Sequence, residues 1–330
     1  MVDTSSSKNN TFWVVVKVIL ALLLIGFVLT RTNLSELAQL FKSISLPNFL
    51  IYVLLFGVLT LLKTWQYQTL TGKDISYAQV LNAIILQNAL SNYLATSAGI
   101  ISYIAMLRAE HGIKISRSIA VFIMIKIGDL MMIWVALIAS SLLVWRDIHA
   151  LHPLVIVLVV GIGMTILFFL LAAALRQKFV IYINSLAARF GLSEIGLVRR
   201  ALTSLQVFSE LEQEEMLRAF AKTILLSAAY FIVSMLWVYV SYMVFEFPQK
   251  LISITFVSTL MQVVSYLPVQ VFGGLGVTEA SALFFWSPFQ ISQTKFAAFL
   301  IGSRLLFYLL NLLPLLYLFL SSILQKRKHQ

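Results

Sequence analysis

Long apolar runs recur along this chain and constrain its fold more than any other feature of the sequence. A helix needs about 20 consecutive apolar residues to cross the hydrocarbon core of a bilayer. Charged residues make up only 11% of the 330 residues, which is too few to cover a soluble core of that size. The sequence therefore predicts an all-α polytopic integral membrane protein with about six full transmembrane helices. The runs occupy residues 12–30, 47–67, 118–145, 153–175, 221–245 and 297–322.

Two further apolar stretches are interrupted in ways that a lipid-facing helix avoids. Residues 77–107 carry a series of small and amide side chains, and residues 251–289 are broken by a proline and glycines. Such segments are tolerated at membrane depth where they are buried in protein or line a cavity. We therefore predict that both stretches form hairpins around an internal site. The interrupting residues are Asn82, Gln87, Asn88, Ser91, Asn92, Thr96, Ser97, Gly99, Pro268, Gly273, Gly274 and Gly276.

The basic residues predict which side of the membrane each loop occupies. The net charge is +11, and most basic loop residues lie in the N-terminal segment, 68–76, 108–117, 176–200 and the C-terminal tail. Short loops of this kind remain in the cytoplasm. All of these loops lie on the same side of the membrane only if 77–107 and 251–289 are hairpins that each return to the side on which they enter. The two hairpins then enter from opposite faces of the membrane. We therefore expect a multi-pass protein of the cell membrane with both termini in the cytoplasm.

This topology predicts a single membrane domain, 1–330, that contains two membrane halves. The first half covers 1–175 and the second 221–330, and a cytoplasmic interfacial linker, 176–220, joins them. A further interfacial helix is predicted at 32–44, where leucines recur at helical spacing. Two re-entrant hairpins that point toward each other are typical of inverted-repeat transporters with a site near the midplane.

Several classes of function are excluded by the residues that the chain lacks or places in loops. The absence of cysteine excludes disulfides, thiolate catalysis and iron–sulfur ligation. The histidines, His111, His149, His152 and His329, lie in predicted loops or in the tail. Because no nucleophile with a nearby base and no metal-ligand spacing is found, we predict no enzyme activity, cofactor or metal. The basic residues flank membrane spans, so we expect membrane lipids with anionic or zwitterionic headgroups, and not nucleic acid, as partners.

Four charged residues are predicted inside the bilayer. Lys126 and Asp129 lie three residues apart and share a helix face, Glu279 follows the glycines, and Arg304 lies in the last span. Each costs about 2.5–3.5 kcal/mol at the centre of a membrane helix, so each needs a partner or a wet cavity. Two interpretations remain open: structural ion pairs Lys126–Asp129 and Glu279–Arg304, or a path for a lipid headgroup. Lys63, near the end of its span, is interpreted as an interfacial anchor.

The stretch VFGGLGVTEA, 271–280, predicts a reversal of the chain within the membrane. Its glycines permit positive φ and close approach of the backbone. A half-helix would begin at Gly276 or Thr278, with Glu279 in its first turn, where the helix dipole favours a negative charge. A nucleotide-binding loop is excluded because no Walker lysine follows. Glycines that serve helix packing alone are the other interpretation.

Gln87, Asn88, Ser91 and Asn92 form a polar stripe on one side of a helix, since they lie at positions i, i+1, i+4 and i+5. Amide side chains inside a membrane protein often hydrogen-bond neighbouring helices. They can equally give a neutral lining that hydrates a moving headgroup. The sequence leaves both interpretations open.

Three motifs together resemble the flippase-like family, which comprises the transmembrane region of lysylphosphatidylglycerol synthases and its stand-alone relatives. YLPVQVFGGLGVTEASALFFW, 266–286, resembles the family's proline, Gly-Gly-x-Gly and acidic motif. MIKIGDLM, 124–131, resembles its basic-x-x-acidic motif, with Lys126 where arginine is commoner, and Arg304 matches a basic residue in its final span. The segment TSAGIISYIAML, 96–107, departs from the family by lacking the charged residues of the first hairpin.

The resemblance implies movement of a phospholipid or other polar-headgroup lipid between leaflets without ATP hydrolysis. The alternative is a non-catalytic membrane partner that recruits or stabilises a lipid- or glycan-modifying enzyme. A second copy of the chain, as in a homo-oligomer, or a membrane enzyme is a candidate protein partner. A lipid-modifying enzyme is disfavoured by the missing catalytic cluster, and the polarity inside the membrane favours transport over scaffolding. The predicted substrate path comprises Gln87, Asn88, Asn92, Ser97, Gly99, Lys126, Asp129, Pro268, Gly273, Gly274, Gly276, Glu279 and Arg304.

The first testable prediction concerns topology. Single cysteines at Lys114 and Arg199 should react with a membrane-impermeant maleimide from the cytoplasm, and one at His149 from the outside. The chain has no native cysteine, so the unmodified protein is the control for background labelling. Labelling of Lys114→Cys from the outside would contradict the hairpin at 77–107.

Overall fold

The computed structural model describes residues 39–71, 75–113, 115–189, 213–266 and 274–328. Within these ranges every regular element is helical, which confirms the predicted all-α fold class. The predicted first span, 12–30, lies outside the described residues, as does most of the predicted interfacial helix at 32–44, of which residues 39–42 are helical.

Nine α-helices are described, and we number them in chain order. Five of them are long and apolar enough to cross a membrane, and they coincide with the five predicted spans that fall within the described ranges. The helices are α1 (Leu46–Thr71), α2 (Tyr77–Tyr93), α3 (Thr96–His111), α4 (Ile115–Leu143), α5 (His152–Arg189), α6 (Gln213–Val244), α7 (Leu251–Ser265), α8 (Val277–Trp286) and α9 (Gln293–Lys328).

The five long helices, α1, α4, α5, α6 and α9, present apolar side chains outward. Leu142, Val157 and Met164 are each at least 67% exposed. Helix α5 shows this most clearly, because most of its apolar stretch is not buried within the bundle. Large exposed apolar surfaces are unfavourable in water but favourable against lipid tails. The outer surface of the bundle is therefore suited to hydrocarbon.

Helix α5 extends further than the predicted span of 153–175. It continues without a break to Arg189, so the first part of the predicted linker, 176–220, belongs to this helix. The reason is that no glycine or proline occurs from Met164 until Gly191, and a helix is not obliged to end at a membrane surface. Helix α6 likewise begins at Gln213, within the predicted linker.

The predicted hairpin at 77–107 consists of two helices, α2 and α3, joined by a two-residue turn. Ser76 begins α2 with a capping box, since its backbone N–H donates to Gln79 Oε1 at 2.9 Å and its hydroxyl accepts from the Gln79 N–H. Gly99 lets α3 fold back closely against α2. A Cβ at position 99 would clash with the Ser91 hydroxyl and the Gln87 carbonyl oxygen. The chain reversal predicted from the polar residues is thus present.

The pair α2–α3 begins and ends at the same end of the bundle. Its outer parts share a buried apolar cluster with the last turns of α1 and the first turns of α4, including Tyr67, Ile75, Leu107 and Val121. Gln68 also donates a hydrogen bond to the Ile75 carbonyl at 2.6 Å, across the short α1–α2 connection. The chain therefore returns to its point of entry before α4 starts.

The pair α7–α8 begins and ends at the opposite end of the bundle. The start of α7 follows the end of α6 after a short connection that contains Phe247, and the end of α8 lies beside α6, where Trp286 donates to the Tyr242 hydroxyl at 3.1 Å. The backbone N–H of Ser45 donates to the Val244 carbonyl, so the start of α1 lies beside the end of α6. Since α2–α3 joins the other end of α1, the two helix pairs enter the bundle from opposite ends.

The close α2–α3 contact predicts a sharp difference between two glycines. Gly99→Val should lower the stability of the protein by about 1–3 kcal/mol, because overpacking forces the helices apart. Gly57→Val is the matched control, since a Cβ at Gly57 meets nothing within 4 Å. Thermal unfolding in detergent measures both variants. Equal effects of the two substitutions would contradict the close approach at Gly99.

Candidate functional site

A cavity of about 460 Å³ lies between the helices and is bordered by the inner ends of α2, α3 and α7. Its walls come from α1, α2, the start of α3, α4, α6, the end of α7 and α9. This volume falls within the range of about 300–1,000 Å³ that is typical of ligand pockets. The polar residues of the wall are Thr60, Lys63, Tyr67, Gln87, Asn88, Ser91, Asn92, Thr96, Lys126, Asp129, Ser227, Tyr230, Ser234, Gln262, Ser265, Tyr266 and Asn311.

An ion pair between Lys63 and Asp129 forms the strongest polar contact of the wall. Lys63 Nζ lies 2.6 Å from Asp129 Oδ2, and each side chain is only 12% exposed. Lys63 also donates to Gln66 Oε1 at 2.8 Å and lies 4.4 Å from the centre of the Tyr230 ring. The ammonium group therefore has a carboxylate, an amide oxygen and an aromatic face as partners.

The carboxylate of Asp129 is held from a third helix as well. Ser227 on α6 donates to Asp129 Oδ1 at 3.0 Å, and Gln66 donates to the Ser227 hydroxyl at 2.5 Å. A Cβ at Gly128 would lie 2.8 Å from the Ser227 hydroxyl oxygen, so glycine lets α4 and α6 approach closely enough for this contact. The network ties α1, α4 and α6 together at the midpoint of α4.

Lys126 has different surroundings, although it lies one helical turn before Asp129. Its Nζ lies 5.3 Å from the centre of the Tyr266 ring and 5.6 Å from that of Phe122. Side chains on a helix lean toward its N-terminus, so Lys126 extends toward Phe122 and away from Asp129. Among the described residues, no carboxylate forms an ion pair with Lys126.

The structure contradicts one of the open interpretations and one prediction about these lysines. The pair Lys126–Asp129 is not the ion pair of this site, because Lys63 approaches Asp129 from a neighbouring helix. Lys63 is also not an interfacial anchor, because its charged end is buried in the bundle. The position of Asp129 within an apolar span indicated that it needs a partner, but spacing along its own helix does not reveal which helix supplies that partner.

The polar stripe of α2 lines the cavity as a group. Gln87, Asn88, Ser91 and Asn92 all belong to its wall. Asn92 also donates to Asn311 Oδ1 on α9 at 2.8 Å, so one residue both links helices and lines the cavity. The two open interpretations of the stripe are thus both represented.

The turn after α2 is fixed to α9 by an aromatic contact. Tyr93 donates to the Tyr308 carbonyl at 2.6 Å, and the two rings stack with centres 5.7 Å apart. The inner end of the first helix pair is therefore attached to the last long helix.

Glu279 and Arg304 form the second predicted ion pair, which the structure confirms as a contact. Arg304 Nε lies 3.5 Å from Glu279 Oε1, and Glu279 Oε2 accepts a hydrogen bond from the Gly276 backbone N–H at 2.6 Å. Gly274 and Gly276 have φ values of 82° and 84°, which other residues adopt at a cost. Helix α8 starts directly after Gly276, as predicted, and Glu279 occupies its first turn.

This second pair is separate from the cavity wall. Neither Glu279 nor Arg304 is among the described wall residues, although Phe307, one turn after Arg304, is. Ser97 is exposed and Gly99 is buried between α2 and α3, and neither lines the cavity. The structure thus brings together only part of the predicted path. Pro268 and Gly273 lie outside the described residues.

Several wall residues were not identified from the sequence. Ser227 and Tyr230 of the wall, together with Gln66 behind it, surround the Lys63–Asp129 pair, but each looks like an ordinary residue of an apolar span. The available signal was Lys63 itself, which lies eight residues before the end of α1 rather than at it. Within the described ranges, no group of three or more His, Asp or Glu side chains is placed to hold a metal ion.

The fold and the site define a polytopic α-helical membrane protein with a polar internal cavity. The sequence profile described as the Lysylphosphatidylglycerol synthase TM region matches residues 14–314. The chain belongs to this family, as the motifs around Lys126, Glu279 and Arg304 predicted. Searches of curated proteins and of solved structures found no match.

The network predicts how stability depends on the two lysines. Lys63→Gln or Asp129→Asn should each lower stability by about 3–5 kcal/mol, because each leaves an unpaired buried charge. The double variant Lys63→Met with Asp129→Leu should recover most of that loss. Lys126→Gln is the matched comparison and should have a much smaller effect, since it breaks no ion pair. Thermal unfolding in detergent distinguishes the variants. A larger loss for Lys126→Gln than for Lys63→Gln would contradict the assigned pairing.

Proposed function

We propose that this protein moves a polar-headgroup lipid between the two leaflets of the membrane without hydrolysing ATP. The observation that carries the proposal is the cavity of about 460 Å³, which is polar and charged inside a bundle whose outer surface is apolar. A lipid that changes leaflet must carry a polar headgroup past hydrocarbon, which is the main barrier to its movement. A polar cavity beside an apolar outer face lowers that barrier, because the acyl chains can remain in the bilayer.

The arrangement of the helix pairs supports this function. We place α2–α3 and α7–α8 in the membrane as re-entrant hairpins that enter from opposite faces. Their inner ends contribute Asn92 and Tyr266 to the same cavity wall. A site between two opposed hairpins is typical of transporters that expose it to each side in turn. In this proposal both termini of the chain face the cytoplasm.

The second candidate function is a non-catalytic membrane partner, which would use the same fold to bind another membrane protein or a second copy of this chain. Such a role requires an outer surface that packs against protein, whereas it makes no use of charged residues in an internal cavity. The charged wall residues Lys63, Lys126 and Asp129 thus favour lipid movement over a scaffolding role.

A leaflet-resolved assay in proteoliposomes tests the proposal. The inner-leaflet share of a fluorescent phospholipid is protected from a membrane-impermeant reductant unless the protein moves that lipid outward. We expect the wild-type protein to expose this share. Asn88→Trp, which fills the cavity, should slow the exposure by about tenfold, equal to about 1.4 kcal/mol in the barrier.

The control is Met164→Trp, which changes an exposed residue on the outer face of α5 and should leave the rate unaltered. Ser234→Trp fills the cavity from α6 and replaces Asn88→Trp if that variant fails to fold. Wild-type vesicles that keep the inner label fully protected would contradict lipid movement and favour the partner role. Equal rates in all variants would show that lipids cross elsewhere than through the cavity.

A further inference from the structure

The charges of the cavity wall do not cancel. Lys63 and Lys126 are the cations, and Asp129 is the carboxylate, among the described residues of the wall. Asp129 Oδ2 accepts from Lys63, and Asp129 Oδ1 accepts from Ser227. The carboxylate is thus already engaged by α1 and α6. The described wall carries one positive charge in excess, and that charge belongs to Lys126.

The aromatic rings around Lys126 stabilise its charge only in part. Phe122 and Tyr266 face its Nζ from 5.6 Å and 5.3 Å, which lie toward the outer limit of cation–π contacts. An ammonium group away from bulk water gains most from an anion that it can hydrogen-bond directly. The ammonium N–H groups of Lys126 remain able to donate to such an anion, because a contact with a ring face does not hold any of them in a directed hydrogen bond.

The other polar groups of the wall are neutral. Asn88, Asn92 and Gln262 offer amide donors and acceptors, and Ser234 offers a hydroxyl. Neutral groups of this kind hydrogen-bond most headgroups and do not select by charge. Selection by charge therefore depends on Lys126, since Lys63 is neutralised by Asp129.

We propose that Lys126 is the phosphate-binding and charge-selecting residue of the cavity, and that the preferred ligand is a lipid whose headgroup carries net negative charge. This inference rests on the proposed function for the identity of the ligand as a lipid. A zwitterionic headgroup brings its own cation into a cavity that already has an excess positive charge, and is therefore bound less tightly. The Lys63–Asp129 pair has a different role, which is to hold the wall together.

Competition binding to the full-length protein in detergent, read by native mass spectrometry, tests the assignment. The probes are short-chain phosphatidylglycerol, which is anionic, and short-chain phosphatidylcholine, which is zwitterionic. We expect the wild-type protein to prefer phosphatidylglycerol by about tenfold, as a hydrogen bond to a charged group allows. Lys126→Gln should abolish the preference by weakening phosphatidylglycerol alone, and Lys126→Arg should retain it.

Lys250→Gln is the matched control, because it removes an exposed lysine outside the cavity and should leave the preference unchanged. Glycerol 3-phosphate has no acyl chains and tests whether a soluble phosphate binds at Lys126. It should not displace phosphatidylglycerol. Displacement at equal concentration would assign Lys126 to a soluble anion and overturn the lipid assignment. A preference that persists in Lys126→Gln would overturn the role of Lys126. If Lys126→Gln fails to fold, two other results would overturn the role of Lys126. One is a wild-type protein that shows no preference for phosphatidylglycerol, and the other is a Lys126→Arg variant that loses the preference.

The binding measurement is independent of lipid movement, so the two proposals fail separately. If the wild-type protein shows the charge preference but leaves the inner-leaflet lipid protected, the binding site is supported and the proposed function is contradicted. If the protein moves phosphatidylglycerol and phosphatidylcholine equally and binds them equally, the proposed function is supported and the charge-selecting site is contradicted.

Discussion

The buried ion pair between Lys63 and Asp129 is the interaction on which the arrangement of this bundle depends. Two charges taken out of water are stabilising only where geometry and further hydrogen bonds compensate for their lost hydration. Here Gln66 and Ser227 complete the shell, and the ion pair spans 2.6 Å. Because the four residues come from α1, α4 and α6, any displacement of one helix leaves a charge without its partner. The pair therefore fixes the wall of the cavity as well as its charge.

The two helix pairs depend on that wall for their place in the bundle. Each pair is joined to the long helices at its outer end by apolar and aromatic packing, around Tyr67 in one case and around Trp286, which contacts Tyr242 and Phe296, in the other. Their inner ends make polar contacts instead, such as the hydrogen bond from Asn92 to Asn311. Apolar packing at the outer end and polar contact at the inner end keep the α2–α3 turn next to the cavity.

The sequence could predict the helices more fully than the site, for reasons that particular residues make clear. Apolar runs and interruptions are local properties, so five spans, both helix pairs and the start of α8 after Gly276 followed from them. Ion pairing is not local. Asp129 has Lys126 nearby on its own helix, yet side-chain direction and the approach of α1 assign it to Lys63. Gln66 and Ser227 gain their roles only from that approach, which the closeness of Gly128 to α6 permits.

The bundle combines long helices with short helices that end inside it, which explains how one cavity can be polar without being highly charged. A helix end leaves backbone N–H or C=O groups without helical partners, so a helix that ends inside the bundle brings hydrogen-bonding capacity there without adding net charge. The end of α2, the start of α3 and the end of α7 all reach the cavity wall. In this largely neutral cavity the excess cation, Lys126, interacts strongly with any charged group that enters, because few other charges compete with it or screen it. The long helices carry the ion pair, which needs rigid support, and the short helices supply neutral polar groups.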